Sequence, residues 1–101
     1  VPRRDKPDAS AAEICTNLEK EGWKIQRIAS AQQRQSGCPD AVIAGRAGLT
    51  HLMEFKSLGG RLSEAQVAFS RRWPGCFHVA TSSWEANELL KMCEVMLRQK
   101  P

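Results

Sequence analysis

Between Gly37 and Ser57 the chain reads GCPDAVIAGRAGLTHLMEFKS, mostly apolar or small residues that nevertheless include Asp40, Glu54 and Lys56. All three lie inside or beside segments that look like buried strands, and a carboxylate or ammonium withdrawn from water is costly unless it is paired or holds a metal. Side chains two apart on a strand share a face, so Glu54 and Lys56 project together, about 7 Å apart at their backbones, with Met53 and Phe55 on the other side. If the preceding strand pairs with this one as a hairpin, Asp40 comes to lie near Glu54. Two carboxylates and the intervening Phe55 carbonyl are hard oxygen ligands of the kind Mg²⁺ or Mn²⁺ prefers. Lys56 would then orient or help deprotonate a water while the metal stabilises charge on a phosphodiester. The plainer alternative is an exposed Glu54–Lys56 ion pair, because an E-x-K triplet behind an acid arises often by chance. The apolar neighbours Leu52, Met53 and Phe55, and the fixed backbone of the Gly-x-Pro-Asp turn, favour convergence on one site.

The elements that must hold these residues follow from periodicity and punctuation. Residues 1–9, VPRRDKPDA, read as a flexible, Pro-bracketed lead-in, and residues 10–101 as one domain. Ser10-Ala-Ala-Glu13 has capping-box spacing and opens a helix whose stripe of Ala11, Ile14, Cys15 and Leu18 ends at Gly22. Trp23 to Ile28 reads as a strand and AQQRQSG as a loop. Ala41 to Ala44 and Leu49 to Phe55 read as two strands joined by a turn containing Gly45 and Gly48. A second capping box, Ser63 to Gln66, opens a helix to about Arg72 that Pro74-Gly75 stops, and Cys76 to Thr81 forms a fourth strand. A third box, Ser82 to Glu85, leads a helix with Ala86, Leu89, Leu90, Cys93 and Leu97 on one face. The expectation is an α/β domain, order αβββαβα, with a central mixed four-stranded sheet flanked by helices.

Composition narrows the class without naming a function. A chain of 101 residues, 42% hydrophobic and 26% charged, is typical of a soluble globular domain, small enough for a partner subunit to add useful stability. The formal charge of +4 mildly favours anionic partners. No secretory signal or apolar run long enough to span a bilayer is present, so cytoplasmic placement is expected. Cys15, Cys38, Cys76 and Cys93 are widely spaced, with no C-x-x-C pair and no His at zinc-finger spacing. That argues against a structural zinc site; two disulfides are arithmetically allowed, but reduced, buried thiols suit the surrounding apolar pattern better. His51 and His78 lie within expected strands, neither has a partner acid at a ligand-like spacing, and both read as core or surface residues rather than ligands. Trp23, Trp73 and Trp84 fit core or subunit contacts better than base stacking. The chain opens with Val1, as a trimmed chain or one domain of a longer one would.

The run Gly37-Cys-Pro-Asp40, then Glu54-Phe-Lys56, then Gly60-Arg-Leu-Ser63-Glu-Ala-Gln66 resembles the PD-(D/E)XK nuclease superfamily, and within it the VRR-NUC domains. The likeness covers about Glu13 to Glu85. It implies a restriction-endonuclease-like fold and an Mg²⁺-dependent endonuclease, Mn²⁺ being able to substitute, with no small-molecule cofactor. By the resemblance Asp40, Glu54, the Phe55 carbonyl and Glu13 would bind metal, Lys56 would be the catalytic lysine, and Gln66 the active-site glutamine. Glu13 and Gln66 each also occupy the third position of a capping box, where their ordinary work is to bind a backbone N–H. Some superfamily members carry an aromatic four residues after the glutamine, where this chain has Ser70. Arg34, Arg61, Arg71 and Arg72 fall in segments that should flank the site, and arginine suits phosphate contacts.

The resemblance further implies a bacterial or phage-encoded protein acting on DNA, with branched substrates such as four-way junctions in first place. A homodimer is expected, since so small a domain has little surface with which to grip a duplex and the last helix and the tryptophans could supply a two-fold interface. An RNA-processing endonuclease of the same superfamily, or a nucleic-acid-binding module with a degenerate site, are the competing expectations.

Overall fold

A computed structural model describes residues 10–28, 37–45 and 49–98. Within them the elements are α1 (Ala11–Lys20), β1 (Lys24–Arg27), β2 (Ala41–Ala44), β3 (Thr50–Phe55), α2 (Glu64–Arg72), β4 (Cys76–Ala80) and α3 (Ser83–Arg98). The strands form one mixed sheet in the order β1-β2-β3-β4. Antiparallel pairing joins β1 to β2 and β2 to β3, whereas β4 runs parallel to β3. A parallel pair needs a crossover, and α2 provides it. The molecule is thus α/β with a mixed four-stranded sheet and three helices, as the sequence pattern implies. The lead-in and Arg34 lie outside the described residues.

Each helix begins where a side chain can take up an orphaned N–H. Ser10 Oγ accepts from Glu13 N at 3.2 Å and Ser82 Oγ from Glu85 N at 3.1 Å. At α2 the box is reciprocal, Ser63 Oγ accepting from Gln66 N and Gln66 Oε1 from Ser63 N. Glu85 reaches one residue further out than a regular box, its carboxylate accepting from Thr81 N at 2.6 Å. At the other end of α2, Trp73 precedes Pro74 and is extended (φ −79°, ψ 116°), because the proline ring disfavours helical backbone before it.

The core fills the layer between one sheet face and the pair α1 and α3: Ile14, Leu18, Trp23, Ile43, Met53, Ala80, Ala86 and Leu90. Trp23 belongs to it rather than to β1 or to a subunit contact. The indole is 1% exposed and donates Nε1–H to Asn87 Oδ1 at 2.8 Å, so the hydrogen bond is kept although the ring is buried. Asn17 Nδ2 likewise donates to Ser83 Oγ at 2.9 Å, tying α1 to the start of α3. The buried stripe of α3 therefore differs from its most apolar one. Ser83, Ala86, Asn87, Leu90 and Glu94 face inward, Cys93 and Leu97 are only half-buried, and Met92, Val95 and Met96 are exposed. All four cysteines are thiols; Cys15 is buried and the other three are half-buried, so the expectation of buried thiols holds for one of four. Among the described residues no helix is long and apolar enough to cross a membrane.

Candidate active site

The hairpin register decides the first contact. Ala41 faces Met53 across β2 and β3, so the residue before Ala41 meets the residue after Met53: Asp40 opposite Glu54. Asp40 N–H donates to the Met53 carbonyl at 3.1 Å, and its carboxylate Oδ2 accepts from Phe55 N at 2.8 Å. The turn is thereby closed against the end of β3 from both sides of the Asp40 residue. Glu54 lies on the sheet face away from the core and is still only 3% exposed. Lys56 follows two residues on, with Nζ 3.4 Å from Glu54 Oε2. Its backbone N–H donates to the Ala80 carbonyl of β4 at 3.0 Å, which fixes the lysine's origin beside the parallel strand.

Gln66 joins the same cluster from α2 and performs two tasks with one amide. Oε1 accepts from Ser63 N at 2.8 Å, which leaves the NH₂ to point the other way, and Nε2 donates to Glu54 Oε2 at 2.9 Å. Cap and site residue, rivals in the sequence, are one and the same here. The helix is brought this close by Gly37, whose φ of +86° suits glycine and whose absent Cβ would strike the Ala65 carbonyl. Gly37 thus sets the Asp40 turn directly on the first turn of α2.

Charge in the cluster is poorly balanced. Burial is the main cause, and the Asp40 carboxylate the second, that pushes the Glu54 carboxyl up to about 7, with Lys56 only partly opposing them. Glu54 Oε2 receives both Gln66 and Lys56, whereas Oε1 is buried and accepts no hydrogen bond; a proton on Glu54 would be shared with the Asp40 carboxylate, and the ionised form leaves that oxygen unsatisfied. An unsatisfied buried oxygen costs about 1–3 kcal/mol, more when charged. Two facing carboxylates and an orphaned oxygen fit a hard divalent cation, which would supply the missing positive charge and an acceptor for the lone pair.

The remaining residues expected at the site divide. Phe55 sits between Glu54 and Lys56 with its N–H committed to Asp40. Glu13 is exposed, its carboxylate 3.5 Å from the Ser10 hydroxyl, and it is not among the groups whose charge acts on Glu54. The structure does not bring it to the acids. Arg61 is exposed in the loop leading to α2, and Arg71 and Arg72 are exposed in the last turn of that helix, roughly 8 Å along its axis from Gln66. Arg72 lies 5.3 Å over the Phe69 ring, itself stacked on Trp73 at 6.2 Å.

Sequence reasoning missed a second polar cluster, on the core face of the same strand. His51 is fully buried, its Nε2 3.0 Å from Glu94 Oε2 and its Nδ1 3.0 Å from His78 Nε2. A partner acid therefore exists, 43 residues downstream. Its only sequence signal is that Glu94 falls on the buried stripe of α3, in helical step with Ala86, Asn87 and Leu90. Comparison with family models, curated proteins and solved structures gave no match.

Proposed function

We propose that the chain is a metal-dependent DNA endonuclease of the PD-(D/E)XK superfamily, hydrolysing phosphodiester bonds with Mg²⁺ or Mn²⁺. The observation that carries the reading is Glu54, a buried carboxylate facing Asp40 and touching Lys56 and Gln66, with one oxygen unpartnered. Asp40, Glu54 and the Phe55 carbonyl would hold the cation, whose chemistry is to stabilise negative charge on the phosphodiester. Lys56 orients the attacking water and holds its proton in hydrogen-bond reach. Gln66 keeps Glu54 aimed, since its own oxygen is fixed by the α2 cap. Asp40 is held for the same task by the Phe55 N–H. Arg61, Arg71 and Arg72 are open to solvent on the loop and helix beside the cluster and suit the strand's phosphates.

The reading extends to a homodimer on branched DNA. Support comes from α3, which buries Ala86 and Leu90 against the sheet yet exposes Met92, Val95 and Met96, at 59%, 52% and 65%. A monomer would gain nothing from that outer apolar row, whereas an isologous pair would cover it. The deciding assay incubates the chain with four-way, flap, single-stranded and linear duplex DNA, and with RNA of the same shapes, in Mg²⁺, Ca²⁺ or chelator. Cleavage in Mg²⁺, binding with little turnover in Ca²⁺ and none in chelator are expected; full activity in chelator would end the metal mechanism. Sedimentation at micromolar concentration tests the dimer. A monomer that cuts linear duplex as fast as a junction overturns the junction half alone, and faster cutting of RNA overturns the choice of DNA.

A further inference from the structure

The geometry points to a second metal site, for Zn²⁺ or a similar borderline-soft divalent ion, built from His51, His78 and Cys93 with Cys76 as the fourth donor. One ring nitrogen of each histidine and the Cys93 sulfur lie within 4.8 Å of one another. The Cys76 sulfur is 3.0 Å from that of Cys93. Three elements supply the set: His51 from β3, Cys76 and His78 from β4, Cys93 from α3. Parallel pairing puts His51 directly beside Cys76, and strand alternation keeps His78 on the same face. None of these contacts involves the acidic cluster, which lies on the opposite face.

Donor type and spacing both suit the ion. Imidazole and thiolate are the usual ligands of zinc, and tetrahedral bonds of about 2.0–2.3 Å place neighbouring donors roughly 3.3–3.8 Å apart. The 3.0 Å between the histidine nitrogens and the 3.0 Å between the sulfurs need to open by less than about an ångström, whereas the Cys76 sulfur, which lies outside the 4.8 Å group of the other three donors, has to swing inward to complete the tetrahedron. An independent observation is the carboxylate behind the first histidine. Glu94 Oε2 receives Nε2–H of His51 at 3.0 Å, which fixes the tautomer and leaves the Nδ1 lone pair facing His78. Carboxylate–histidine–metal relays have this form, and the carboxylate raises the basicity of the ligating ring. Gly45 makes the pairing sterically possible, because a Cβ there would collide with Glu94 Oε2 and approach His51 Nε2 at 3.0 Å.

On binding, His78 shifts its proton from Nε2 to Nδ1 within the ring, and each ligating thiol releases one proton to solvent as its S–metal bond forms; no oxidant or reductant takes part. The result would be a pin through β3, β4 and α3 at the start of the strand whose other end carries Glu54.

The test uses the full chain, kept reduced, stripped with chelator and titrated with Co²⁺ alone, then with Zn²⁺ alone. Expected are one equivalent of Co²⁺ with intense tetrahedral visible bands and a thiolate-to-cobalt charge-transfer band, their displacement by Zn²⁺, proton release, and a higher unfolding temperature with Zn²⁺. Cys93→Ser and His78→Gln, both at half-buried positions and checked for fold by circular dichroism, should lose the band; Glu94→Gln should weaken binding about 10–100-fold. A chain with Asp40→Asn and Glu54→Gln together should keep the parent's thiolate-to-cobalt charge-transfer band. The proposal is overturned if the parent lacks the charge-transfer band, if Cys93→Ser titrates unchanged, or if the Asp40, Glu54 double variant loses the band. A chain that takes up no metal when reduced, yet loses two hydrogens in air by joining Cys76 to Cys93, also overturns it in favour of a redox pair.

Discussion

β3 carries a polar cluster on each face, and the two are arranged on opposite principles. On the core face, His51 is fully buried with both ring nitrogens in contact, one with Glu94 and one with His78. On the outer face, Glu54 is nearly as buried but faces a like charge and leaves Oε1 without a partner. Burial therefore does not distinguish the clusters; satisfaction does. A polar group whose bonds are complete adds to the specificity of a core, whereas one held incomplete by its neighbours stores free energy that a ligand can release. The Glu54 face is accordingly the candidate for chemistry and the His51 face for cohesion.

The largest effect expected is on catalysis. Asp40→Asn, Glu54→Gln and Lys56→Ala should each lower cleavage by about a hundredfold or more while leaving the fold and much of the DNA binding in Ca²⁺ intact, because in the proposed mechanism they act on the transition state whereas binding would rest on scattered phosphate contacts. Near-parental rates in all three would show the outer cluster to be misassigned. Next comes His51→Ala, which takes the His51 imidazole away from the buried Glu94 carboxylate and should cost roughly 3–5 kcal/mol in urea unfolding with chelator present. A loss below about 1 kcal/mol would mean that the core-face cluster is not cohesive, and the contrast between the faces would fail.

The pH dependence of stability sharpens the contrast further, because the two faces pull in opposite directions. Glu54, raised to about 7, binds a proton in the folded chain that it lacks in the unfolded chain, so between about 4.5 and 7 its contribution is lost as pH rises. His78 is lowered to about 4, first by burial and then by His51. In the unfolded chain it is protonated below about 6.5, so its contribution is lost as pH falls from there toward 4. In metal-free wild type the slopes offset each other, each on the order of 1 kcal/mol per pH unit. Glu54→Gln should leave stability rising with pH across this window, and His78→Gln should leave it falling. Parallel profiles in the two variants would contradict the assignment of either charge state.

Gln66→Glu comes next in size: it keeps an oxygen for the Ser63 N–H and removes the donor to Glu54, so α2 should persist while cleavage falls by about tenfold or more. The smallest effect belongs to Glu13→Gln, which at an exposed position should change stability by less than about 0.5 kcal/mol and leave cleavage near parental. A loss as large as that of Asp40→Asn would restore Glu13 to the metal site.

The sequence by itself determined the elements and the outer cluster. Capping boxes, the Gly22 and Pro74 stops and strand alternation placed the helices and strands to within a residue or two, since each signal acts over a single turn. Asp40, Glu54 and Lys56 were legible for the same reason: two share a strand face, and a short hairpin brings in the third. What only the tertiary structure decided are pairings set by which faces pack. Glu13 and Gln66 stand at equivalent capping positions, yet α2 is seated on Gly37 with its amide at Glu54, while Glu13 points to solvent. Trp23 looked available for a subunit contact until Asn87 of α3 met its indole nitrogen. The core-face cluster joins residues from β3, β4 and α3, up to 43 apart in the chain, and no local spacing encodes it. Its members meet because α3 turns Glu94 inward with Leu90 and because the parallel pairing sets Cys76 and His78 along His51. That geometry belongs to the packed layers, and periodicity read along one segment carries no record of it.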